Sequence, residues 1–248
     1  MPLLTNKVAV VTGAGRGIGS DVARLMAAEG ASIVVHYNSS REAAESLAQS
    51  LPGESIALQA DLTDEAAAQS LIARAIDRFG HVDILVNNAA SFRPDKKFED
   101  DNWQAYLDEF NGVMGATFHP TRAVVPHMKA QGGGRIINFA ATLLQRPAPG
   151  FGSHSAAKGA VLAFTRTLSR ELGPYNITVN AVCPGMTMTD YSLSLSSQVK
   201  DRVSSLTPLR RLAQPLDVAR VVVFYASDLA GFVTGALIAP DGGLAVIG

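Results

Sequence analysis

Short apolar runs rich in β-branched residues alternate along the chain with longer stretches whose apolar positions recur at helical spacing. The runs are Val8 to Val11, Ser32 to Val35, Ser55 to Leu58, Asp83 to Val86, Arg135 to Phe139, Ile177 to Asn180 and Ala236 to Ala239. Between them the pattern predicts helices over Gly17–Glu29, Arg41–Ser50, Asp64–Phe79, Asn102–Gln131, Ser153–Leu172 and Pro215–Ser227. Several of these open on a Ser, Asp or Asn, whose side chain can accept from the unpaired amides of a first helical turn. Apolar strands that alternate with helices read as a parallel sheet covered on both faces, the doubly wound α/β class. The stretch from Pro184 to Pro208 departs from this pattern, being rich in Ser, Thr and Met with patchy periodicity. It predicts a mobile lid over residues 185–208, above a site at the strand ends.

No repeat, linker or low-complexity tract divides the 248 residues, and 47% hydrophobic content suffices for one core, so residues 1–248 are expected to form a single domain. A formal charge of −1 with both signs scattered speaks against nucleic acid or an anionic membrane as partner and favours a small-molecule substrate. Cys183 is the only cysteine, which excludes an intrachain disulfide framework and a cysteine-clustered zinc site and suits a reducing cytoplasm. The N-terminal Met1 to Lys7 shows no basic segment followed by an apolar stretch, so neither a signal peptide nor a membrane span is expected. His36, His81, His119 and His127 fall on different elements without metal-ligand spacing and read as ordinary surface or core residues; no metal is indicated.

The first strand leads directly into Thr12-Gly13-Ala14-Gly15-Arg16-Gly17-Ile18-Gly19, which opens the first helix. Glycines at that junction let a pyrophosphate approach backbone amides at a helix N-terminus. Further along stand Asp61-Leu62 after the third strand, Asn87-Asn88-Ala89-Ala90 after the fourth, and Pro184-Gly185-Met186-Thr187-Met188-Thr189 after the sixth. With these motifs in this order, from Lys7 to the Asp241-Gly242-Gly243 tail, the chain resembles the short-chain dehydrogenase/reductase family, in particular its 3-oxoacyl-acyl-carrier-protein-reductase-like members. The resemblance implies a single-domain Rossmann fold and a nicotinamide dinucleotide. Asp61 and Leu62 would meet the adenine, Asn88 and Ala89 would lie beneath the cofactor, and Pro184, Gly185, Thr187 and Thr189 would hold the carboxamide. It also implies twofold-symmetric assembly, with a homotetramer expected and a dimer as runner-up.

NAD specificity rests on an acid after the second strand that bonds the ribose 2′-hydroxyl. Here that place reads His36-Tyr37-Asn38-Ser39-Ser40-Arg41. Tyr37, Asn38 and Ser39 offer neutral hydrogen-bonding groups, and Arg16 and Arg41 offer cations for a 2′-phosphate, so NADP(H) is expected.

In the resembling family a Tyr-x-x-x-Lys pair shares one helix face and does the proton chemistry. Lys158 stands in the lysine place, but His154 occupies the tyrosine place and Ala141 that of the serine that polarises the substrate carbonyl. The family's helical asparagine has no unique counterpart. The stretch from Trp103 to Thr121 is about three residues longer than the family pattern. Counting forward gives Phe110, counting back gives Val113, and Asn111 between them is the candidate. A histidine side chain titrates near roughly 6.5 against about 10 for tyrosine, and a neutral imidazole still donates one hydrogen bond, although its tip reaches less far than a phenol oxygen. Thr142 is expected to point away from the site, while Tyr191 and Asp190 in the lid offer an acid from above.

Three functions follow. The leading one is an atypical NADP(H)-dependent oxidoreductase of a carbonyl, alcohol or activated double bond, with His154, Lys158 and Asn111 as its catalytic set. The others are a non-redox enzyme on the same fold, with His154 as base in a dehydration, isomerisation or cyclisation, and a noncatalytic dinucleotide binder.

Overall fold

The structure, a computed structural model, describes residues 1–90 and 96–245. Seven parallel strands form one sheet in the order β3-β2-β1-β4-β5-β6-β7: β1 Val8–Val11, β2 Ser32–Tyr37, β3 Ser55–Gln59, β4 Ile84–Asn87, β5 Gly134–Phe139, β6 Ile177–Val182 and β7 Leu237–Ile238. The strand order reverses direction at β1, which pairs β2 on one side and β4 on the other. In such sheets ligands bind beyond the carboxyl ends of the strands at this reversal.

Alternate residues of β1 feed opposite layers, as the two-residue period of a strand requires. Ala9 and Val11 pack with Val22 and Met26 of α1 (Gly17–Ala28), Leu47 of α2 (Arg41–Ser50) and Val222 of α9 (Pro215–Ala226). Val8 and Val10 pack with Leu71 and Ile72 of α3 (Glu65–Phe79) and with Val124 and Met128 of α5 (Ala116–Gln131). The sheet is therefore buried on both faces, and the chain is one domain of the expected class.

Two predicted elements differ. The helix expected over Asn102–Gln131 is broken into α4 (Trp103–Phe110), a π-helical segment Asn111–Gly115, and α5. A wide turn of this kind absorbs about one residue in excess of α-helical register, which takes up part of the surplus length between Trp103 and Thr121. The expected lid is not irregular: it carries α7 (Asp190–Ser194), whose Thr189–Ser192 pair forms a reciprocal cap, and α8 (Ser197–Leu206), capped by Ser196. The remaining helix, α6 (Gly152–Leu172), starts one residue before its predicted position and presents His154 and Lys158 one turn apart.

A buried polar chain fixes α5 and α6 against the sheet. Asn87 Nδ2 donates to Thr121 Oγ1 at 2.9 Å and to Asn138 Oδ1 at 2.8 Å, and Asn138 Nδ2 donates to Thr165 Oγ1 at 2.9 Å. No helix of the described residues is long and apolar enough to cross a membrane.

Candidate active site

The segments singled out in the sequence, apart from Asn111, gather at the carboxyl edge of the sheet. Val11 ends β1, and the glycine loop that follows turns at Gly13 and Gly17, whose φ values of 63° and 59° lie in the left-handed region that favours glycine. Gly19 is required for space instead: a Cβ there would overlap the Gly13 carbonyl oxygen and lie 2.6 Å from Asn88 Nδ2. The amides of Gly17, Ile18 and Gly19 open α1 and so have no acceptor within the helix.

His36 braces this loop, a role its sequence position did not reveal. Its Nδ1 accepts from the Gly13 amide at 3.0 Å and its Nε2 lies 3.0 Å from the Ala60 carbonyl, which defines the neutral Nε2–H tautomer. Burial lowers its pKa below the ordinary value, which keeps Nδ1 an acceptor. Asn88 closes the other side, donating through Nδ2 to the carbonyls of Thr12 at 2.9 Å and Gly13 at 3.1 Å, while Thr12 Oγ1 accepts from the amides of Asn88 and Ala89.

Tyr37 is buried at the end of β2, and Asn38 and Ser39 are exposed just beyond it. Arg16 is exposed and takes part in no salt bridge among the described residues, whereas Arg41 is held by Glu45 at 2.8 Å. Asp61 is exposed past β3, its carboxylate accepting from the hydroxyl of Thr63 at 2.7 Å and from its amide at 2.9 Å; these bonds lower its pKa. Leu62 beside it is buried. Past β6, Thr187 is buried with its hydroxyl donating to the Gly185 carbonyl, and Gly185 itself packs on Asp241. The Thr189 methyl lies near Gly17, so the start of the covering segment folds onto the glycine loop.

Between these parts and α6 lies a cavity of about 590 Å³, lined among others by Ile18, Ala141, Phe151, His154, Met186 and Leu206. His154 is on its wall, and the Nδ1 of this residue is 2.7 Å from Oε1 of Glu109, a carboxylate only 1% exposed on α4. An imidazole nitrogen that faces a carboxylate carries its proton toward it, so Nδ1 is the donor in this contact. Lys158 is buried behind, with Nζ donating to the Phe139 carbonyl at 2.7 Å. Burial pulls its pKa down to about 8, only partly opposed by Cys183 and Glu109. Burial likewise pushes the Cys183 thiol up to about 12 despite Lys158, so it stays protonated at neutral pH.

Asn111 does not join this group. It is exposed on the π segment, and the buried polar side chain that α4 contributes is Glu109, two positions earlier. The Glu109–His154 contact joins residues 45 apart in sequence, and no local motif announces it. Thr142 lies in a one-turn 3₁₀ segment rather than a continuing strand and donates to the Pro184 carbonyl at 3.1 Å, so its hydroxyl ties the two loops together instead of replacing the absent serine. Tyr191 stands at the cavity wall, half exposed. Among the described residues no group of three or more potential ligands could hold a metal.

A family model described as enoyl-(acyl carrier protein) reductase matches residues 13–245. The chain belongs to the short-chain dehydrogenase/reductase family. It is 36% identical over 245 residues to a 3-oxoacyl-[acyl-carrier-protein] reductase of Staphylococcus epidermidis, covering 96% of this chain and 99% of the relative. It is 38% identical over 261 residues to versicolorin reductase of Emericella nidulans, with 97% and 96% covered. Among solved structures it resembles a 7α-hydroxysteroid dehydrogenase complexed with NADH and 7-oxoglycochenodeoxycholic acid, at a TM-score of 0.92 and 33% identity over 97% of this chain and 94% of that one. Membership places the chain in an oxidoreductase family, and the NADH-bound neighbour points to a nicotinamide dinucleotide cofactor.

Proposed function

We propose that this family member is an NADP(H)-dependent oxidoreductase that interconverts a carbonyl and an alcohol, or reduces an activated double bond, with His154 exchanging the proton and Glu109 positioning it. The observation that carries this reading is the 2.7 Å contact between His154 Nδ1 and the buried Glu109 carboxylate on the wall of an apolar cavity. It gives the imidazole a fixed tautomer where the family has a phenol.

The cradle beyond β1 fits the dinucleotide, because its glycines leave the space that a Cβ would fill. Gly13, Gly15, Arg16, Gly17, Ile18 and Gly19 would hold the pyrophosphate, and Tyr37, Asn38 and Ser39 the adenosine ribose, with Arg16 the cation for a 2′-phosphate. Asp61 and Leu62 would border the adenine, with Asn88 and Ala89 beneath the cofactor. Lys158 would hold the second ribose, and Pro184, Gly185, Thr187 and Thr189 the carboxamide. The NADH-bound structural neighbour shares this fold, but the absence of an acid after β2 favours the phosphorylated form here. When bound, the cofactor supplies the hydride.

The chain's own groups manage the proton. In reduction the imidazolium of His154, neutralised by Glu109, donates from Nε2 to the oxygen or carbon that becomes electron-rich; in oxidation the neutral imidazole accepts there. Apolar walls, Phe151, Met186 and Leu206 among them, would limit water around this exchange once substrate fills the cavity. With Ala141 offering no hydroxyl, polarisation of the substrate also falls to His154.

Glu109→Gln keeps a hydrogen-bond acceptor but removes the charge. It is expected to lower kcat about 100-fold, leave NADPH binding and KM within a few-fold, and alter the pH profile of kcat, with partial recovery in Glu109→Asp. Unchanged kcat and pH profile would overturn the role.

We also propose that the chain assembles as a homotetramer. Trp103, Leu107 and Phe110 on α4, and Leu229 and Phe232 near the carboxyl end, are exposed apolar side chains suited to twofold interfaces. Sedimentation at micromolar concentration is expected to show four chains; a monomer would contradict it. The covering segment 185–208 is proposed to act as the substrate lid.

A further inference from the structure

The cavity beside His154 is apolar over most of its wall, yet two arginines are among the residues that line it: Arg146, just after the 3₁₀ turn that follows β5, and Arg202 on α8 of the covering segment. Among the described residues no aspartate or glutamate lines it. Some arginines elsewhere are matched by acids, as in Arg41 with Glu45, Arg78 with Glu54, Arg122 with Glu65 and Arg211 with Asp217, while others, such as Arg16, stand on open surface outside any cavity of this kind. Arg146 and Arg202 form no salt bridge among the described residues. Arg146 makes only a long 3.4 Å bond to the Leu244 carbonyl, and both side chains are exposed at the cavity. Two uncompensated cations on low-dielectric walls raise the local potential and attract an anion, and each guanidinium presents a planar fork that matches an oxyanion.

We infer that the substrate of the site proposed above is an oxo or hydroxy compound with an apolar body and an oxyanion tail, the reacting carbon near His154 and the tail held by Arg146 and Arg202. This deepens, and rests on, the oxidoreductase reading. A cavity of about 590 Å³ lies within the range of small-molecule sites of roughly 300–1,000 Å³, so body and tail can be enclosed together. Because Arg202 rides on the covering segment and Arg146 on the sheet side, an anion between them would also draw that segment over the site.

The test uses 9-oxodecanoate and its methyl ester, which share the ketone and chain and differ only in charge. Binding is measured by calorimetry on the full chain saturated with NADP⁺, and turnover separately with NADPH. The acid is expected to bind at least about tenfold more tightly than the ester. The preference is expected to shrink at high ionic strength and to vanish in the Arg146→Gln/Arg202→Gln double variant, with ester binding unchanged. Equal binding of acid and ester, a preference that survives the double substitution, or binding of neither would overturn the inference. Preferential binding of the acid without NADPH oxidation by it or by other ketones would leave the anion subsite standing and remove the oxidoreductase reading.

Discussion

Replacing Lys158 by methionine tests the electrostatics of the site before any substrate is known. The lysine is buried, and its pKa falls from the ordinary 10.5 to about 8, an interval that corresponds to about 3 kcal/mol. The sign follows from proton binding. Below pH 8 both the folded and the unfolded lysine are charged, and the folded state carries the whole cost. Between 8 and 10.5 the folded lysine has lost its proton while the unfolded one still holds it, so the wild type gains stability as pH rises. Methionine avoids the charge but forfeits the bond to the Phe139 carbonyl, worth about 1 kcal/mol. Lys158→Met should therefore be more stable than wild type by about 2 kcal/mol at pH 7 and less stable by about 1 kcal/mol at pH 10.5. Cys183, held up near 12, is present in both proteins and cancels largely in the difference. Urea unfolding of the two apo proteins from pH 6.5 to 10.5 reads the crossing directly; stability curves that run parallel would refute the reasoning.

Other expectations follow from single contacts. Arg16→Ala should weaken NADPH binding about tenfold and leave NADH nearly unchanged, as read by calorimetry; equal affinities for the two cofactors in the wild type would remove the argument. Gly19→Ala places a Cβ against the Gly13 carbonyl and Asn88, where neither neighbour can yield freely, and should cost about 1–3 kcal/mol of stability together with most NADPH affinity; a variant that binds normally would contradict the packing. Tyr225 is fully buried and its hydroxyl has no partner among the described residues, so Tyr225→Phe should raise the stability measured in urea by about 1 kcal/mol, and a loss of that size would show that the hydroxyl is satisfied.

What was legible in the sequence was what repeats locally or sits in a contiguous motif. The strands announced themselves because a sheet buried on both faces needs unbroken apolar runs, and the glycine loop because the turn at Gly13 and the space at Gly19 restrict those positions to one residue type. The break in the helix between Phe110 and Ala116 was not legible: apolar periodicity shows a face, and a π turn shifts that face without a distinctive composition. Hence Asn111, closest in type to the family pattern, turned outward and Glu109 turned in. His36 escaped notice for a related reason, since a histidine bonded through both ring nitrogens to backbone looks in sequence like any other. The covering segment read as irregular because α7 spans only Asp190–Ser194 and α8 buries no residue, so neither has the periodic stripe that marks a core helix.

The central claim is that hydride chemistry survives in this family member with the His154–Glu109 pair doing the proton work. It is tested most directly with NADPH deuterated at its transferable position, supplied with 9-oxodecanoate and a panel of ketones, aldehydes and enones, while product mass and absorbance are followed for the wild type and His154→Phe. Wild type is expected to place deuterium on the carbon that becomes reduced. His154→Phe is expected to bind NADPH within a few-fold of wild type yet transfer deuterium at least about 100-fold more slowly. Transfer at full rate in His154→Phe, or a product formed by wild type without deuterium, would contradict the account.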